Sequence, residues 1–471
     1  MENWVIKELE SLNVGDIRLE KRIKHVLSVL SRSPKESIPV SCRTWSETKA
    51  AYRCFSSDKI SADKIMAPHK KNIIERTKQF KRALVLQDTT ELNYSGQKKK
   101  QGVGPRRHEN ERDLFIHPQL VISDSGICLG VYDDYQWFRK ELKTQKQSRE
   151  EITNDSLHRK HISEKETGRW IEGYKKATEL ASSCPDTQII SVSDREGDIY
   201  DLFECAENES GIKADWLVRM KSINRAILNS SGKRDSLHLN EKMMQILPQQ
   251  IIEFTLPEGR GQPSRKVQQE LRLARLTLHP PTGRRGKLRC SPVTVTVLLA
   301  KEINAPESVQ PLVWWLMSSV PPEKLTEPAQ LIQWYLLRWQ IEVFFKVLKS
   351  GCQVEKLQLE TFERTRNCLA LYLIISWRIL YLSSLYKMVP EEPCDLIFEK
   401  KEYEYLWILV ENIPPPENIP NIRTAVLMLA RLGGYLARKN DSPPGPKAIW
   451  SGLTRLMLSI NAIETARNNY G

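Results

Sequence analysis

The segment TQIISVSDREGDIYDLFEC, residues 187–205, decides the fold class of this 471-residue chain. Its short apolar run at 189–192 is typical of a buried β-strand. Asp194 ends this run, and a helical pattern begins at about Asp198. A strand, an acid and a helix in this order indicate an α/β sheet with an acidic side chain at the end of a strand.

The same order of features occurs earlier in the chain, in RALVLQDTTELNYS, residues 82–95. A short apolar run at 84–86 predicts a second buried strand, which ends at or near Asp88. Because ligand-binding sites in α/β sheets form at the carboxyl ends of the strands, Asp88 and Asp194 are candidates for one site.

A third acid lies in YLLRWQIEVFFKVLKSG, residues 335–351. On a helical wheel of about 100° per residue, the apolar residues of this segment separate from one polar stripe. The stripe consists of Glu342, Tyr335, Arg338, Lys346 and Lys349. A surface helix with i,i+4 ion pairs would give the same pattern. Together with Asp88 and Asp194, however, Glu342 would complete a set of three carboxylates, which are ligands that Mg²⁺ prefers.

The chain is basic, with 71 Lys and Arg against 58 Asp and Glu, a formal net charge of +13. The positive charge is clustered in QKKKQGVGPRRHENER, GRGQPSRK and GRRGKLR. This distribution favours nucleic acid as a partner, although solubility alone is an alternative reading of the charge. No G-x-x-x-x-G-K-[ST] loop is present in the sequence, so nucleotide hydrolysis is not supported.

Cysteine use and hydropathy argue against a secreted or membrane protein. The nine cysteines include no C-x-x-C pair, which indicates a reduced cytosolic protein. The first residues, MENWVIKELESLN, have an amphipathic helical pattern rather than that of a signal peptide. The most apolar run, 368–386, is interrupted by Arg378, so a buried core helix is favoured over a membrane span.

The pattern along the chain predicts an α/β protein with helical ends. Helices are expected at 17–32 and within 46–55, and a β-hairpin is expected around the turn Ser123-Asp124-Ser125-Gly126. Five segments are predicted: a helical N-terminal module at 1–75, a core at 76–224, an all-β insertion at 225–310, the second part of the core at 311–390 and a helical C-terminal region at 391–471.

The spaced set Tyr335-x2-Arg338-x3-Glu342-x6-Lys349 resembles the Y-R-E-K signature of the DDE transposases of bacterial insertion sequences. The similarity is to the insertion-sequence-four family and, within it, to the transposon-five type. Residues 87–90, QDTT, resemble the first acidic site of that family, and residues 193–198, SDREGD, resemble its D-R-E-x-D second site. GDIRLEKRI and SIPVSCRTWSETKAAYRCF resemble its DNA-binding domain, and LARLGGYLARKNDSPPGPKAIWSG resembles its C-terminal region.

The resemblance implies an RNase H-like catalytic core, interrupted by a β-strand insertion between the second acid and the glutamate. It implies that Asp88, Asp194 and Glu342 are the catalytic, metal-binding acids, with Mg²⁺ as cofactor and Mn²⁺ able to substitute. The DNA-contacting residues that it implies are Tyr335, Arg338, Lys349, Trp314, Arg219, Lys221, Arg18 and Arg22. Trp314 would stack on a flipped base, although its neighbour Trp315 leaves that assignment open.

Two stretches depart from the family pattern. The residues before His117 read RRHENERDLFIHPQL rather than an R-G-L-type run, and three prolines at 443–446 leave the helix register of the C-terminal region open. Within SDREGD, Glu196 and Asp198 have two interpretations: they form an outer shell around Asp194, or they cap the following helix. Capping and orientation are favoured.

The predicted function is that of a cut-and-paste DNA transposase, by family resemblance through a hairpin intermediate. Its partners would be terminal inverted repeats, target DNA and a second copy of the chain in a synaptic complex, in the bacterial cytoplasm at the nucleoid and with no membrane. Two alternatives are a non-catalytic regulator that binds the element ends and an RNase H-like nuclease without strand transfer. A zinc site at His158 and His161 is disfavoured, because no further ligand has suitable spacing.

Overall fold

The computed structural model describes residues 3–95, 113–138, 167–256, 264–282, 290–307, 309–439 and 441–470. The helices, in chain order, are α1 Asn3–Glu8, α2 Ile17–Arg32, α3 Ile38–Cys42, α4 Trp45–Phe55, α5 Ala62–Thr77, α6 Gly168–Ser183, α7 Tyr200–Asn208, α8 Leu239–Gln245, α9 Ala329–Leu337, α10 Trp339–Lys346, α11 Phe362–Met388, α12 Lys400–Glu411, α13 Ile422–Leu432 and α14 Pro446–Tyr470.

The strands, in chain order, are β1 Arg82–Gln87, β2 Thr90–Asn93, β3 Asp113–Ser123, β4 Cys128–Trp137, β5 Gln188–Ser193, β6 Asp215–Arg219, β7 Ala226–Leu228, β8 Arg234–His238, β9 Gln250–Leu256, β10 Arg265–Leu278, β11 Val293–Glu302 and β12 Val313–Ser318. The fold is therefore mixed α/β with helical ends, as the sequence predicts.

The chain divides into two compact units. Unit 1 comprises Met1–Gln79, Thr89–Lys143 and Gln340–Gly471. Unit 2 comprises Phe80–Asp88 and Thr144–Trp339.

The N-terminal helices of unit 1 begin where their capping residues predict. The Asp16 side chain caps α2 by accepting hydrogen bonds from the backbone N–H groups of Arg18 at 3.1 Å and Leu19 at 3.3 Å. The Thr44 side chain caps α4 in the same way, through the N–H of Glu47 at 3.2 Å. The helices predicted at 17–32 and 46–55 are confirmed.

Helix α11 forms the centre of unit 1. It is long and apolar enough to cross a membrane, but 94% of its most apolar window is buried inside the protein. Arg378, which interrupts its apolar run, donates a hydrogen bond to the Ile397 carbonyl at 2.9 Å and lies 4.7 Å from the Trp4 ring. The predicted core helix is confirmed, because its charge is satisfied within the fold.

Beside α11, unit 1 contains the three-stranded antiparallel sheet β2-β3-β4. The turn between β3 and β4 is closed by the Gly126 N–H, which donates to the Ser123 carbonyl at 2.9 Å. This is the hairpin turn that the sequence predicts.

A buried ion pair holds α1, α5 and β4 together in unit 1. Arg76 donates to both carboxylate oxygens of Glu8, at 3.0 and 3.1 Å, and His69 Nδ1 hydrogen-bonds to the same carboxylate. His69 Nε2 accepts the Val131 N–H at 3.1 Å, which requires a neutral imidazole with its proton on Nδ1. The ion pair is therefore between Glu8 and Arg76, whose guanidinium also lies 4.3 Å from the Trp377 ring of α11.

Unit 2 is built on one twisted sheet with the strand order β1-β5-β6-β12-β11-β10. Strands β1, β5 and β6 are parallel, and β12 runs antiparallel to β6. Apart from their first residues, β1 and β5 are completely buried, which explains why both read as continuous apolar runs. Helix α6 packs against β5.

The predicted insertion at 225–310 extends this same sheet. Strand β11 pairs with β12, β10 pairs with β11, and β7 and β9 pair with different parts of β10. The insertion is not purely β, because it contains the seven-residue helix α8. A helix of two turns is too short to produce a recognisable 3.6-residue period in the sequence.

Replacing Glu8 by Gln should destabilise the protein by about 3 kcal/mol at neutral pH, because Arg76 would keep its charge and lose its partner. Burial alone would raise the pKa of Glu8, but His69 and Arg76 outweigh it and lower that pKa to about 2. The carboxylate therefore contributes its full stability above its ordinary pKa of about 4.3 and loses it as the pH falls towards 2.

Thermal unfolding midpoints of the wild type and Glu8→Gln, measured at pH 7.5, check this expectation. Glu75→Gln is the matched control, since Glu75 lies on α5 in unit 1 and its side chain, paired with Lys78, is 62% exposed. Equal losses in the two variants would contradict the structural role of the buried pair.

Candidate active site

The pairing of β1 with β5 places two of the predicted acids at corresponding positions. Leu86 is in register with Val192, so Asp88 and Asp194 each follow two residues later on neighbouring parallel strands. Beneath them, buried Gln87 donates a hydrogen bond from Nε2 to Ser191 Oγ at 2.6 Å. The two carboxylates therefore lie at the carboxyl edge of the unit 2 sheet, as the sequence predicts.

The turn after β5 fixes the Asp194 side chain. One carboxylate oxygen of Asp194 accepts the Glu196 N–H at 2.8 Å and so caps a 3₁₀ turn, Arg195–Gly197. Gly197 is required for this turn, because an added Cβ would lie 2.1 Å from Ser193 Oγ.

Asp88 is paired with Arg338 in this structure. The Arg338 Nη1 to Asp88 Oδ2 distance is 2.7 Å, and both side chains are mostly buried. The guanidinium also lies 5.8 Å from the ring of Tyr335, and the Tyr335 ring meets Trp314 edge-on at 5.9 Å. Four residues predicted from sequence thus form one continuous set of contacts within unit 2: Asp88, Arg338, Tyr335 and Trp314.

The predicted basic pair lies at the same edge. Strand β6 is in register with β5 through Ser193 and Val218, and Arg219 follows directly, opposite Leu316 of β12. Lys221 lies on the turn after β6 and is exposed to solvent. Acids, cations and an indole therefore lie at one sheet edge. They are supplied by the carboxyl ends of β1, β5 and β6 and by the amino end of β12.

The remaining acids of SDREGD have structural partners. Glu196 forms an ion pair with Arg169 at 2.6 Å. Asp198 accepts hydrogen bonds from the turn after β6, and the residue before α7, Ile199, supplies no side-chain cap. The favoured interpretation of Asp198 as a cap of the following helix is therefore wrong.

The predicted single helix at 335–351 is divided into three parts. Helix α9 ends at Leu337, α10 covers Trp339–Lys346, and a π-helical turn covers Val347–Gly351. The helical wheel assumes about 100° of rotation per residue throughout the segment, but a π turn changes the angle at which the following residues lie.

Two apolar residues of this segment are exposed rather than packed. Leu336, which the wheel placed on the buried side, is 55% exposed, and Trp339 is 66% exposed. Trp339 was not singled out from the sequence, because an indole in an apolar segment is most often a core residue.

Glu342 and Lys349 belong to unit 1. Glu342 is partly exposed on α10, and Lys349 is partly exposed in the π turn. Their participation in the same site as Asp88 and Asp194 stays a prediction from the sequence.

Carboxylates such as those of Asp88 and Asp194 match the oxygen ligands that Mg²⁺ binds. Within the described ranges, no group of three or more His, Cys, Asp or Glu side chains is arranged to hold a metal ion. The predicted metal set accordingly rests on donor chemistry and sequence order.

Arg18 and Arg22 lie in unit 1, on the exposed face of α2. They line an open cleft with Lys21 and His25, and α4 forms its other wall. His25 lies 3.3 Å from Glu47 across this cleft. The cleft is therefore a basic surface of unit 1.

The residues before His117 differ from the family pattern, but His117 itself lies within β3. His117 is completely buried in β3, and its Nδ1 lies 3.0 Å from Thr89 Oγ1, the residue after Asp88 in the chain. The basic stretch QKKKQGVGPRRHENER, residues 97–112, and the disfavoured zinc candidates His158 and His161 lie outside the described residues.

A family model for the transposase DDE domain matches residues 75–378, which is more than half of the chain. The chain belongs to the DDE transposase family. A transposase DNA-binding model matches residues 1–60, and a model of the transposase Tn5 dimerisation domain matches residues 374–470. The family resemblance of the sequence, including its Tn5-type members, is confirmed.

Among solved structures, the piggyBac transposase synaptic complex with hairpin DNA is similar to this DDE transposase chain at 10% sequence identity. The match covers 75% of this chain and 63% of that chain, with a TM-score of 0.28. The chain thus spans less than two thirds of the length of that relative, and this TM-score does not establish a common fold.

Replacing Gly197 by Ala should cost about 1–3 kcal/mol of stability, because the new Cβ overlaps Ser193. The two nearest atoms to that Cβ, at 2.1 and 2.6 Å, both belong to the Ser193 side chain, and the next is 3.4 Å away. Adding Ser193→Gly to Gly197→Ala should therefore recover part of the loss.

Thermal unfolding of the single and double variants tests this close approach. Gly445→Ala is the control, since nothing lies within 4 Å of an added Cβ there. A Gly197→Ala protein as stable as the control would show that the turn after β5 is looser than the structure indicates.

Proposed function

We propose that the protein is a cut-and-paste DNA transposase with an RNase H-like core. It binds the terminal inverted repeats of its element, cleaves phosphodiester bonds at the element ends and joins the 3′-OH ends to target DNA. Family membership supports this proposal, and one observation carries it: two carboxylates follow paired parallel strands at an edge that also holds cations and an indole. Cleavage of a polyanion needs this combination of acids and phosphate-binding groups.

Asp88 and Asp194, with Glu342 as the third acid, are the residues that would hold Mg²⁺, and Mn²⁺ would substitute. Divalent ions held by carboxylates activate a water or hydroxyl nucleophile and stabilise the leaving oxygen of a phosphodiester. The Asp194 side chain is already oriented by the Glu196 N–H, so the protein sets its direction in advance.

Arg338, Arg219, Lys221 and Lys349 are the proposed phosphate-binding residues. Arg338 donates to Asp88, and this contact holds its guanidinium at the sheet edge where a scissile phosphate would lie. A guanidinium offers a planar pair of N–H donors, which matches two phosphate oxygens.

Trp314 and Tyr335 are the proposed base-contacting residues. Their edge-on contact at 5.9 Å, with the Arg338 guanidinium 5.8 Å from the Tyr335 ring, supports this role. Trp314 would stack on a base drawn out of the DNA helix, and cleavage would then pass through a hairpin end, which needs a distorted duplex.

The two ends of the chain have separate proposed roles. Arg18 and Arg22 in the α2 cleft would contact DNA of the inverted repeat, and the C-terminal helices would join two copies in a synaptic complex. The protein would act in the bacterial cytoplasm, at the nucleoid.

Incubation with Mg²⁺, a duplex carrying the element end and a target plasmid distinguishes this function from its alternatives. Joined product supports the transposase. Cleavage without joining supports a nuclease, and a bound but intact duplex supports a non-catalytic regulator.

The variants Asp88→Ala, Asp194→Ala and Glu342→Ala should each abolish end cleavage in Mg²⁺ and leave binding of the end duplex intact, because each would remove a proposed metal ligand. Gel-based cleavage and mobility-shift assays measure the two activities on the same protein. Asp186→Ala is the matched control, since Asp186 precedes β5 at its opposite end and is exposed. Normal cleavage by any of the three variants would remove that acid from the proposed set.

The variants Arg18→Ala and Arg22→Ala should weaken binding of the end duplex and lower the slope of log K against log salt by about one each, as expected for a lost phosphate contact. Titrations at several salt concentrations measure both quantities. Lys400→Ala, at a side chain that is 79% exposed in the C-terminal region, is the control for a general loss of charge. An unchanged slope in both arginine variants would exclude the α2 cleft from DNA binding.

A further inference from the structure

The carboxylate of Asp198 has no part in the function proposed above, yet both of its oxygens accept hydrogen bonds. Its side chain is 0% exposed. One oxygen accepts the backbone N–H groups of Lys221 and Ser222, both at 2.8 Å, and the other accepts Arg225 Nη2 at 2.5 Å. All three donors belong to the turn that follows β6.

Arg225 is itself held from a second side. Its guanidinium lies 5.7 Å from the Phe203 ring of α7, and Phe203 stacks on Trp216 of β6 at 4.5 Å. The guanidinium Nε also donates to the Ser222 carbonyl at 3.2 Å. Asp198 is thus the centre of a packed cluster that the rest of unit 2 keeps in place.

This cluster joins two segments that carry proposed functional residues. Asp198 follows Asp194 by one 3₁₀ turn, and Gly197 packs that turn directly on Ser193. The amides that Asp198 binds begin at Lys221, two residues after Arg219. The carboxylate therefore fixes the distance between an acid of the site and its basic pair.

We infer that Asp198 is a positioning residue for DNA cleavage, which holds Lys221 and Arg219 in a fixed place relative to Asp194. This inference rests on the proposed function and adds a residue to it. Charge-assisted hydrogen bonds to two consecutive amides and one guanidinium restrict the turn more than neutral contacts would. Because both oxygens of Asp198 are engaged, the residue acts through the backbone of Lys221 and not as a ligand of an ion.

The test uses the full-length protein, Mg²⁺ and a duplex carrying the inverted repeat that flanks the coding sequence. Asp198→Asn should lower the single-turnover cleavage rate about 100-fold, the cost expected when a reacting group is displaced by about 1 Å. Affinity for the duplex should change little. Nicks should also spread to the neighbouring phosphodiester bonds, an effect that a loss of stability alone does not produce.

A double-mutant cycle with Lys221→Ala supplies the decisive measurement. Lys221→Ala should lower the cleavage rate about 10-fold in the wild-type background and less than about 2-fold in Asp198→Asn. The reason is that a lysine already displaced by Asp198→Asn contributes little to the rate. Additive effects together with an unchanged nick position would overturn the inference.

Two controls keep the result interpretable. Asp186→Asn removes an exposed acid at the other end of β5 and should leave rate, nick position and the effect of Lys221→Ala unchanged. If Asp198→Asn does not fold, Arg225→Lys replaces it in the double-mutant cycle with Lys221→Ala. Arg225→Lys keeps the positive charge but loses the paired N–H donors of the guanidinium. If the wild type does not nick the duplex, the proposed function is refuted. If the wild type nicks the duplex but the cycle is additive and the nick position is unchanged, only the role of Asp198 is refuted.

Discussion

The site depends first on the parallel pairing of β1 with β5. Both strands are buried apart from their first residues, and the register Leu86 to Val192 sets the level at which each strand ends. A shift of one residue would turn alternate side chains to the other face of the sheet and separate Asp88 from Asp194. The buried hydrogen bond from Gln87 to Ser191 favours this register, since any other alignment of the two strands would break it.

The other parts of the edge follow from the strands on either side of this pair. Strand β6 continues the parallel order and delivers Arg219, and β12 returns antiparallel with Trp314 near its start. Arg338 approaches from the end of α9 and pairs with Asp88. Acids and cations thus meet because the elements carrying them end at one edge, and their opposite charges then hold each other in mainly buried surroundings.

The sequence predicted this arrangement to a large extent. Continuous apolar runs identified β1 and β5, and the acids that end them identified the site, because buried parallel strands and strand-end acids both leave a local pattern. Helix α8 and the π turn after α10 were not predicted, since each is too short to alter the period of its segment. The ion pair of Arg338 with Asp88 and the contacts of Asp198 with the segment after β6 were also missed. Both depend on contacts between segments distant in the chain, which no local spacing records.

The order of strands in the sheet differs from their order in the chain, and this has a consequence for how the protein is made. Strand β1 ends at Gln87, but its partner β5 begins only at Gln188. Strand β6 likewise pairs with β12, which ends only at Ser318. Closing such long loops costs entropy before any contact compensates it, so pairing of this kind is slow. During synthesis, the edge that carries Asp88 cannot be complete until about two thirds of the 471 residues have left the ribosome. The basic helix α2 is made long before that point, so a nascent or prematurely ended chain has its candidate DNA-binding surface without the machinery to cut.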